Sequence, residues 1–282
     1  MAHISMSQIE EFNENGYLII DSGVDESVID SIVTEIDHHY NRDTVVDGFY
    51  SHDTRIQDAW HFNEKVRQVA TMPGILQTLQ QLYNNKPLPF QTLNFPIGTQ
   101  QKPHSDSVHF SSVPHGLMAG VWIAYEDIDE SNGALQYFPG SHKLPYYDMR
   151  DVGVAEGYEN YGHYELFLEK VIAENGLKRE VGCLRKGQAL IWHANLFHGG
   201  SEQIDKSRSR HSQVTHYYFE GCQYYTPMLS SEEKLFYRNP DWIPLEPLTD
   251  FQKSKFSLKL RKYNNICRQP DLFYHLAKRI KA

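Results

Sequence analysis

Residues 101–110 read QKPHSDSVHF, and within them His104 and Asp106 stand two apart. In an extended segment, residues two apart point to the same face, so the imidazole and the carboxylate would converge on one point. The pair becomes a metal site only with a third donor. His198 is the candidate, following the apolar run QALIWHANLF at 198 − 104 = 94 residues downstream. Two imidazoles and one carboxylate form the facial triad that suits non-haem Fe(II), with positions left open for other ligands. The spacing alone is weak, because a chain with 15 His residues contains about one His-x-Asp by chance.

The neighbourhood of His198 strengthens it. A Gly-Gly turn and a polar loop follow, and Arg210 then opens a strand-like run, RHSQVTHYYF. A guanidinium one strand away from the distal His can hold a carboxylate by two parallel hydrogen bonds, as a 2-oxoglutarate co-substrate would require. Between the two histidines the chain reads GVWIAYEDIDESNGALQYFPGSH, and from Phe197 it reads FHGGSEQIDKSRSR. In this order the sequence resembles the phytanoyl-CoA dioxygenase family of Fe(II)/2-oxoglutarate oxygenases. The acidic-Asn-Gly-Ala-Leu, Pro-Gly-Ser-His signature over 129–142 is its most specific part, the opening FNENGYLII is also similar, and the likeness spans residues 9–219.

The resemblance implies a dioxygenase that binds iron(II) through His104, Asp106 and His198. It would use 2-oxoglutarate and O2, hydroxylate a small molecule, and release succinate and carbon dioxide. Arg210 would take the distal carboxylate of 2-oxoglutarate, although the family usually places this Arg one residue closer to the distal His; Arg208 is the rival. Gln91, Asn94 and Gln101 are polar residues that could contact the co-substrate, with ordinary strand or turn hydrogen bonding as the alternative. Trp122 either walls the pocket or fills the core. Related halogenases carry a small residue at the aspartate position to admit a halide, so Asp106 points to hydroxylation.

Two other classes share such a fold. A non-catalytic jelly-roll binding protein would have lost a triad member or the Arg. A cupin-type metal enzyme that does not use 2-oxoglutarate would place three or four histidines on its metal. The remaining histidines read as structural: His142 ties down a turn, His193 shares a face with neither ligand, and His211 and His216 flank the Arg strand. His109 and His115 lie in the loop after Asp106, where they could meet a substrate, although loop histidines are usually solvated or locally bonded.

A chain of 282 residues is long enough for one domain with a substantial core. Its formal charge of −9 argues against a nucleic-acid surface, and no apolar run is long enough to span a bilayer. The start MAHISMSQIEEFNENG lacks the basic and apolar parts of a secretory signal, and Cys183, Cys222 and Cys267 are too few and too scattered for a disulfide framework. The expected compartment is the reducing cytoplasm.

Ser7 with Glu10 is a capping-box pattern for a short helix through Phe12. Residues 17–20 then read as a strand, 27–40 as an amphipathic helix, and 64–83 as a second helix interrupted at Met72-Pro73-Gly74. Strand patterns over 88–97, 117–125, 134–138, 188–197 and 213–219 predict a mainly β fold. It would be a double-stranded β-helix, a cupin-like jelly roll, braced by N- and C-terminal helices in a single domain. The stretch 48–63, with Tyr50, His52, Trp60, His61 and Phe62, is a candidate pocket wall. The insertion 145–180, with Tyr146, Tyr147, Tyr158, Tyr161 and Tyr164, is a candidate lid. Residues 250–282 read as a helical extension whose nine Lys or Arg residues face solvent, an acidic partner or a second copy in a homo-oligomer.

Overall fold

The computed structural model of this protein describes residues 4–40 and 55–247. The chain opens with α1 (Met6–Asn15), β1 (Tyr17–Asp21) and α2 (Glu26–Ile36), continues through β2 (Ile56–Gln57), and passes over α3 (Glu64–Ala70) and α4 (Pro73–Tyr83). Next come β3 (Pro87–Phe95), β4 (Ser111–Val113), β5 (Met118–Ala124) and β6 (Leu135–Tyr137). The insertion carries α5 (Met149–Val152) and α6 (Tyr161–Glu174), and β7 (Glu180–Gly182), β8 (Gln188–His193), β9 (His198–Gly200), β10 (Ser212–Phe219) and β11 (Gln223–Tyr225) follow.

Six antiparallel strands form the larger sheet in the order β1-β8-β5-β10-β3-β2; β7-β6-β9 form a second sheet, and β11-β4 a ribbon. The two sheets face each other as a jelly roll, the double-stranded β-helix that the strand patterns predict. Alternation along the central strands divides their side chains between two cores. From β5, Ala119, Val121 and Ile123 face the N-terminal helices with Ile191 of β8 and Tyr217 and Phe219 of β10. Trp122 and Ala124 face the second sheet with Leu190, Trp192 and Val214.

The helices exist to cover the outer face. In α2, Ile29, Ile32 and Ile36 repeat at helical spacing and are all buried, each worth roughly 1.5–3 kcal/mol in apolar burial. The helix itself ends at Ile36, and the predicted residues 37–39 form a 3-10 turn instead. α1 starts two residues earlier than Ser7 implies: Ser5 caps it, accepting from the Gln8 N–H while the Gln8 side chain accepts from Ser5. Phe12 is the buried residue of this helix. The break predicted at Met72-Pro73 is real, with Pro73 as the first residue of α4.

The insertion is a packed layer. Met149, Tyr161, Tyr164, Leu168 and Val171 bury against Val108, Phe197 and Met228. The candidate pocket wall at 48–63 is met in part: Arg55 and Gln57 line a cavity, Tyr50 and His52 lie outside the described residues, Trp60 joins the helix-side core, and His61 faces Asp241 at 3.4 Å. The basic extension at 250–282 also lies outside the described residues. Among the described residues no helix is long and apolar enough to cross a membrane.

Candidate active site

Backbone pairing brings the two histidines together. His104 and His198 form an isolated antiparallel bridge, His104 N–H donating to His198 O at 2.8 Å and His198 N–H to His104 O at 2.9 Å. The pair of glycines after His198 makes this approach possible. They are strand residues of β9, where the sequence suggested a turn, and a Cβ on Gly199 would sit 2.5 Å from Gln101 O, one on Gly200 2.7 Å from Gln100 N. Only a bare backbone lets the 99–102 segment pass so close over β9.

Asp106 does not continue an extended run. It begins a 3-10 turn, Asp106–Val108, after Ser105 in extended geometry. The turn is fastened from below: Ser105 Oγ donates to Ala194 O at 3.0 Å, and Ser107 Oγ to Asn195 Oδ1 at 3.0 Å. The carboxylate thereby meets both imidazoles, with Oδ1 3.8 Å from His104 Nε2 and 3.9 Å from His198 Nε2. One ligand atom from each of the three residues fits within 4.8 Å, and all three side chains are buried. His104 Nδ1 lies 3.0 Å from Lys102 O and His198 Nδ1 2.9 Å from Leu196 O. Those carbonyls take the Nδ1 hydrogens, so both Nε2 lone pairs turn toward the carboxylate.

Oδ2 of Asp106 is held on the other side. The Trp192 indole N–H donates to it at 2.8 Å, and His216 Nε2 stands 3.6 Å away. Trp192 can lie there because Gly120, its partner across β5 and β8, has no side chain; a Cβ at 120 would fall 2.2 Å from the indole. Burial pushes the His104 imidazole down to about 3 and that of His216 to about 4. Burial alone would raise the Asp106 carboxyl, but its polar surroundings, including the Trp192 N–H on Oδ2, hold it below the ordinary carboxylate range. The result is an ionised carboxylate beside uncharged imidazole, the donor set that a ferrous ion requires.

The triad opens on a cavity of about 230 Å³ that Arg210 also lines. Arg210 is buried, its Nη1 donates to Ser212 Oγ at 2.6 Å, and its guanidinium lies 5.5 Å from the Phe95 and Trp122 ring centres. Its Nε is buried without a partner. Such an orphaned donor costs about 1–3 kcal/mol or more, and an incoming carboxylate would relieve it. Arg208 is elsewhere, at the surface, bonded to Asp129 Oδ2 and Ser131 Oγ at 2.7 Å each.

The profile of the family described as "Phytanoyl-CoA dioxygenase (PhyH)" matches residues 12–212, most of the chain. The chain belongs to the phytanoyl-CoA dioxygenase family. Peroxisomal phytanoyl-CoA dioxygenase of Rattus norvegicus is 24% identical over 259 residues, covering 82% of this chain and 73% of the relative. Phytanoyl-CoA dioxygenase domain-containing protein 1 of Mus musculus is 30% identical over 93 residues, 31% of this chain and 32% of that protein. Among solved structures, the non-haem α-ketoglutarate-dependent epimerase SnoN from nogalamycin biosynthesis superposes with a TM-score of 0.63 at 19% identity, covering 87% of this chain and 95% of its own. EctD from S. alaskensis, solved with 2-oxoglutarate and 5-hydroxyectoine, superposes with a TM-score of 0.59 at 17% identity, covering 84% and 85%. At such identities the structural likeness is one of fold.

As a member of the phytanoyl-CoA dioxygenase family, the chain is an enzyme of the Fe(II)/2-oxoglutarate-dependent class. Its own residues fit both groups: the His104, Asp106 and His198 donor set suits iron(II), and the orphaned Arg210 Nε suits a carboxylate. The other polar residues singled out from the sequence separate. Gln91 and Gln101 line the cavity, Gln91 Oε1 lying 2.9 Å from His216 Nδ1 and Gln101 Nε2 lying 3.1 Å from His104 Nδ1. Asn94 does not. It points to the opposite face of β3, where its Nδ2 donates to Gln213 Oε1 at 3.2 Å, so a co-substrate contact for it is corrected to a core hydrogen bond. Residues three apart on a strand cannot share a face, which already excluded Asn94 and Gln91 acting together. Trp122 both lines the cavity and fills the core.

Several cavity residues carried no signal from spacing. Trp192 and His216 reach Asp106 from β8 and β10, the strands on either side of β5, and Arg238 comes from a distant segment. His109 is not a solvated loop residue; it is buried in the cavity, with Tyr161 Oη 3.4 Å from its Nε2, and burial pushes it down to about 4. Gly120, a glycine inside an apolar strand run, is the kind of residue that marks a close approach. His142 does tie down a turn, its Nε2 lying 3.1 Å from Asn13 O.

Proposed function

We propose that this protein hydroxylates a small molecule, holding iron(II) with His104, Asp106 and His198 and 2-oxoglutarate with Arg210. One observation carries the proposal: a buried carboxylate and two imidazoles converge within 4.8 Å in the same cavity as a buried guanidinium with an orphaned Nε. The bound metal and co-substrate supply oxidation of a C–H bond by O2, with succinate and carbon dioxide as co-products. The chain does the positioning. Lys102 O and Leu196 O fix the imidazole tautomers, and the Trp192 N–H holds Oδ2 of Asp106 so that Oδ1 is left for the metal. Arg210, steadied by Ser212, orients the co-substrate against Phe95 and Trp122, which exclude water. Asp106 itself fills the position a halide would need.

EctD, of the same fold, was solved with 2-oxoglutarate and 5-hydroxyectoine; hydroxylation by this chain rests on Asp106 instead. The helical insertion acts as a fixed cover over the cavity, to which it contributes Tyr158. A reducing cytoplasm suits ferrous iron and the unpaired Cys183 and Cys222. The test is anaerobic titration of the apoprotein with Fe(II) and then 2-oxoglutarate, followed by O2. A weak visible charge-transfer band that fades as succinate forms is the expected result; iron binding without a band would sink the assignment of Arg210 and favour a metal enzyme independent of 2-oxoglutarate.

A further inference from the structure

The cavity contains a second arginine socket built like the first. Arg238 Nη1 donates to a hydroxyl, Thr226 Oγ1, at 3.1 Å, its guanidinium lies 4.8 Å from the Phe110 ring centre, and its Nε is buried without a partner. Arg210 has the same three features with Ser212, Phe95 and Trp122. In both, an aromatic face and one hydroxyl hold a guanidinium of the cavity wall whose Nε has no partner. Arg238 lines the same cavity as His104, Asp106 and His198, with His109 and Phe110 in its wall.

Charge points the same way. Arg55, Arg210 and Arg238 line the cavity and Asp106 is its one acid among the described residues. A divalent cation and a doubly charged 2-oxoglutarate would cancel each other, so Arg210 and Arg238 set against Asp106 would still leave the filled site positive, in a chain whose formal charge is −9. A concave site of that sign draws anions.

We infer that the primary substrate carries an oxyanion, a carboxylate or a phosphate, and that Arg238 is the residue that binds it. The inference rests on the function proposed above, with 2-oxoglutarate assigned to Arg210. The oxyanion docks on Arg238, its carbon skeleton lies against Phe110 and Tyr158, and the carbon to be oxidised is presented to the metal. Arg238 is thus a substrate-binding residue contributed by the segment after β11, downstream of the residues that hold the metal and co-substrate.

The probes are benzoate, phenyl phosphate and neutral benzamide, added to the full-length protein in two settings. In the anaerobic Fe(II) and 2-oxoglutarate complex, benzoate or phenyl phosphate should shift the visible band saturably and benzamide should not. In the metal-free protein the same anions should raise the melting temperature. Arg238→Gln should raise the half-saturating concentration of the active anion at least tenfold in both settings, with Arg238→Lys in between, while the band with 2-oxoglutarate alone keeps its intensity. Benzoate acting alone would assign a carboxylate, and phenyl phosphate acting alone a phosphate. Equal effects of benzamide, an unchanged response in Arg238→Gln, or no response to either anion would each overturn the inference. Absence of the band in the wild-type protein would instead overturn the assignment of Arg210, and the melting temperatures would still decide the role of Arg238.

Discussion

Gly120 and Trp192 face each other across β5 and β8, and the indole occupies the space that a side chain at 120 would fill. A strand glycine usually weakens a sheet; here it admits the ring whose N–H holds the metal carboxylate. Gly120→Ala should push Trp192 off Asp106. Overpacking of this kind costs roughly 1–3 kcal/mol, and a lost partner of a metal ligand lowers affinity about 10–100-fold. Thermal unfolding and Fe(II) competition titration would measure both; unchanged iron affinity would mean that the indole does not support the site.

Trp192→Phe separates packing from hydrogen bonding. The phenyl ring keeps much of the burial but donates nothing to Oδ2 of Asp106. Iron affinity should fall about 10-fold or more with a smaller change in melting temperature than in Gly120→Ala.

Arg210 and Arg208 stand two apart and should behave oppositely. Arg210→Ala removes a buried guanidinium from the cavity. The charged hydrogen bonds it would give a carboxylate are worth about 1.5–3 kcal/mol, a roughly 10–100-fold rise in the 2-oxoglutarate needed for half-maximal turnover, with iron binding kept. Arg208→Ala breaks a surface pair with Asp129, worth about 1 kcal/mol at most, and should leave the co-substrate requirement alone. A reversed outcome would transfer the role to Arg208.

Asp106→Ala should abolish iron(II) binding and turnover together, since it removes the only carboxylate among the triad donors. Iron titration followed by succinate detection would check it, and retained turnover would take Asp106 out of the site.

Asp58 gives a pH dependence away from the metal. Burial raises its carboxyl to about 6, despite the hydrogen bond from the Thr92 N–H at 3.0 Å. The unfolded value is about 3.9, so the fold prefers the protonated form. Below about pH 4 the group costs nothing; the cost grows as pH rises from about 4 to about 6 and stays in full above that. Asp58→Asn cannot ionise and should be more stable than wild type by about 1–2 kcal/mol at pH 7.5, allowing for solvent screening of a half-buried group. At pH 4.5 most of that advantage should vanish, as thermal melts at the two pH values would reveal; an equal gain at both would rule out ionisation as its cause.

The fold was legible because strand patterning and turn residues repeat along the chain, and the His104, Asp106 and His198 combination because ligand chemistry demands a recognisable set of residue types. Arg210 could be preferred to Arg208 only for its place at the start of a strand, and β10 does begin two residues later, at Ser212. What escaped was lateral. Trp192 and His216 meet Asp106 through the side-by-side order of β8, β5 and β10, and no spacing within one strand encodes which strands become neighbours. Arg238 was invisible for the same reason, being brought to the cavity by a segment with no strand or helix pattern of its own. Alternation puts Gln91 and Asn94 on opposite faces, but only the structure shows that Asn94 is the one turned away from the cavity.

The reciprocal backbone bridge between His104 and His198 joins residues that leave the ribosome far apart in time. When the HSD segment emerges, neither β9 nor the central strand β10 has been made, and the sheets cannot yet close around it. The three donors are therefore gathered only by the finished fold, and no stretch of the nascent chain holds them together before the sheets close.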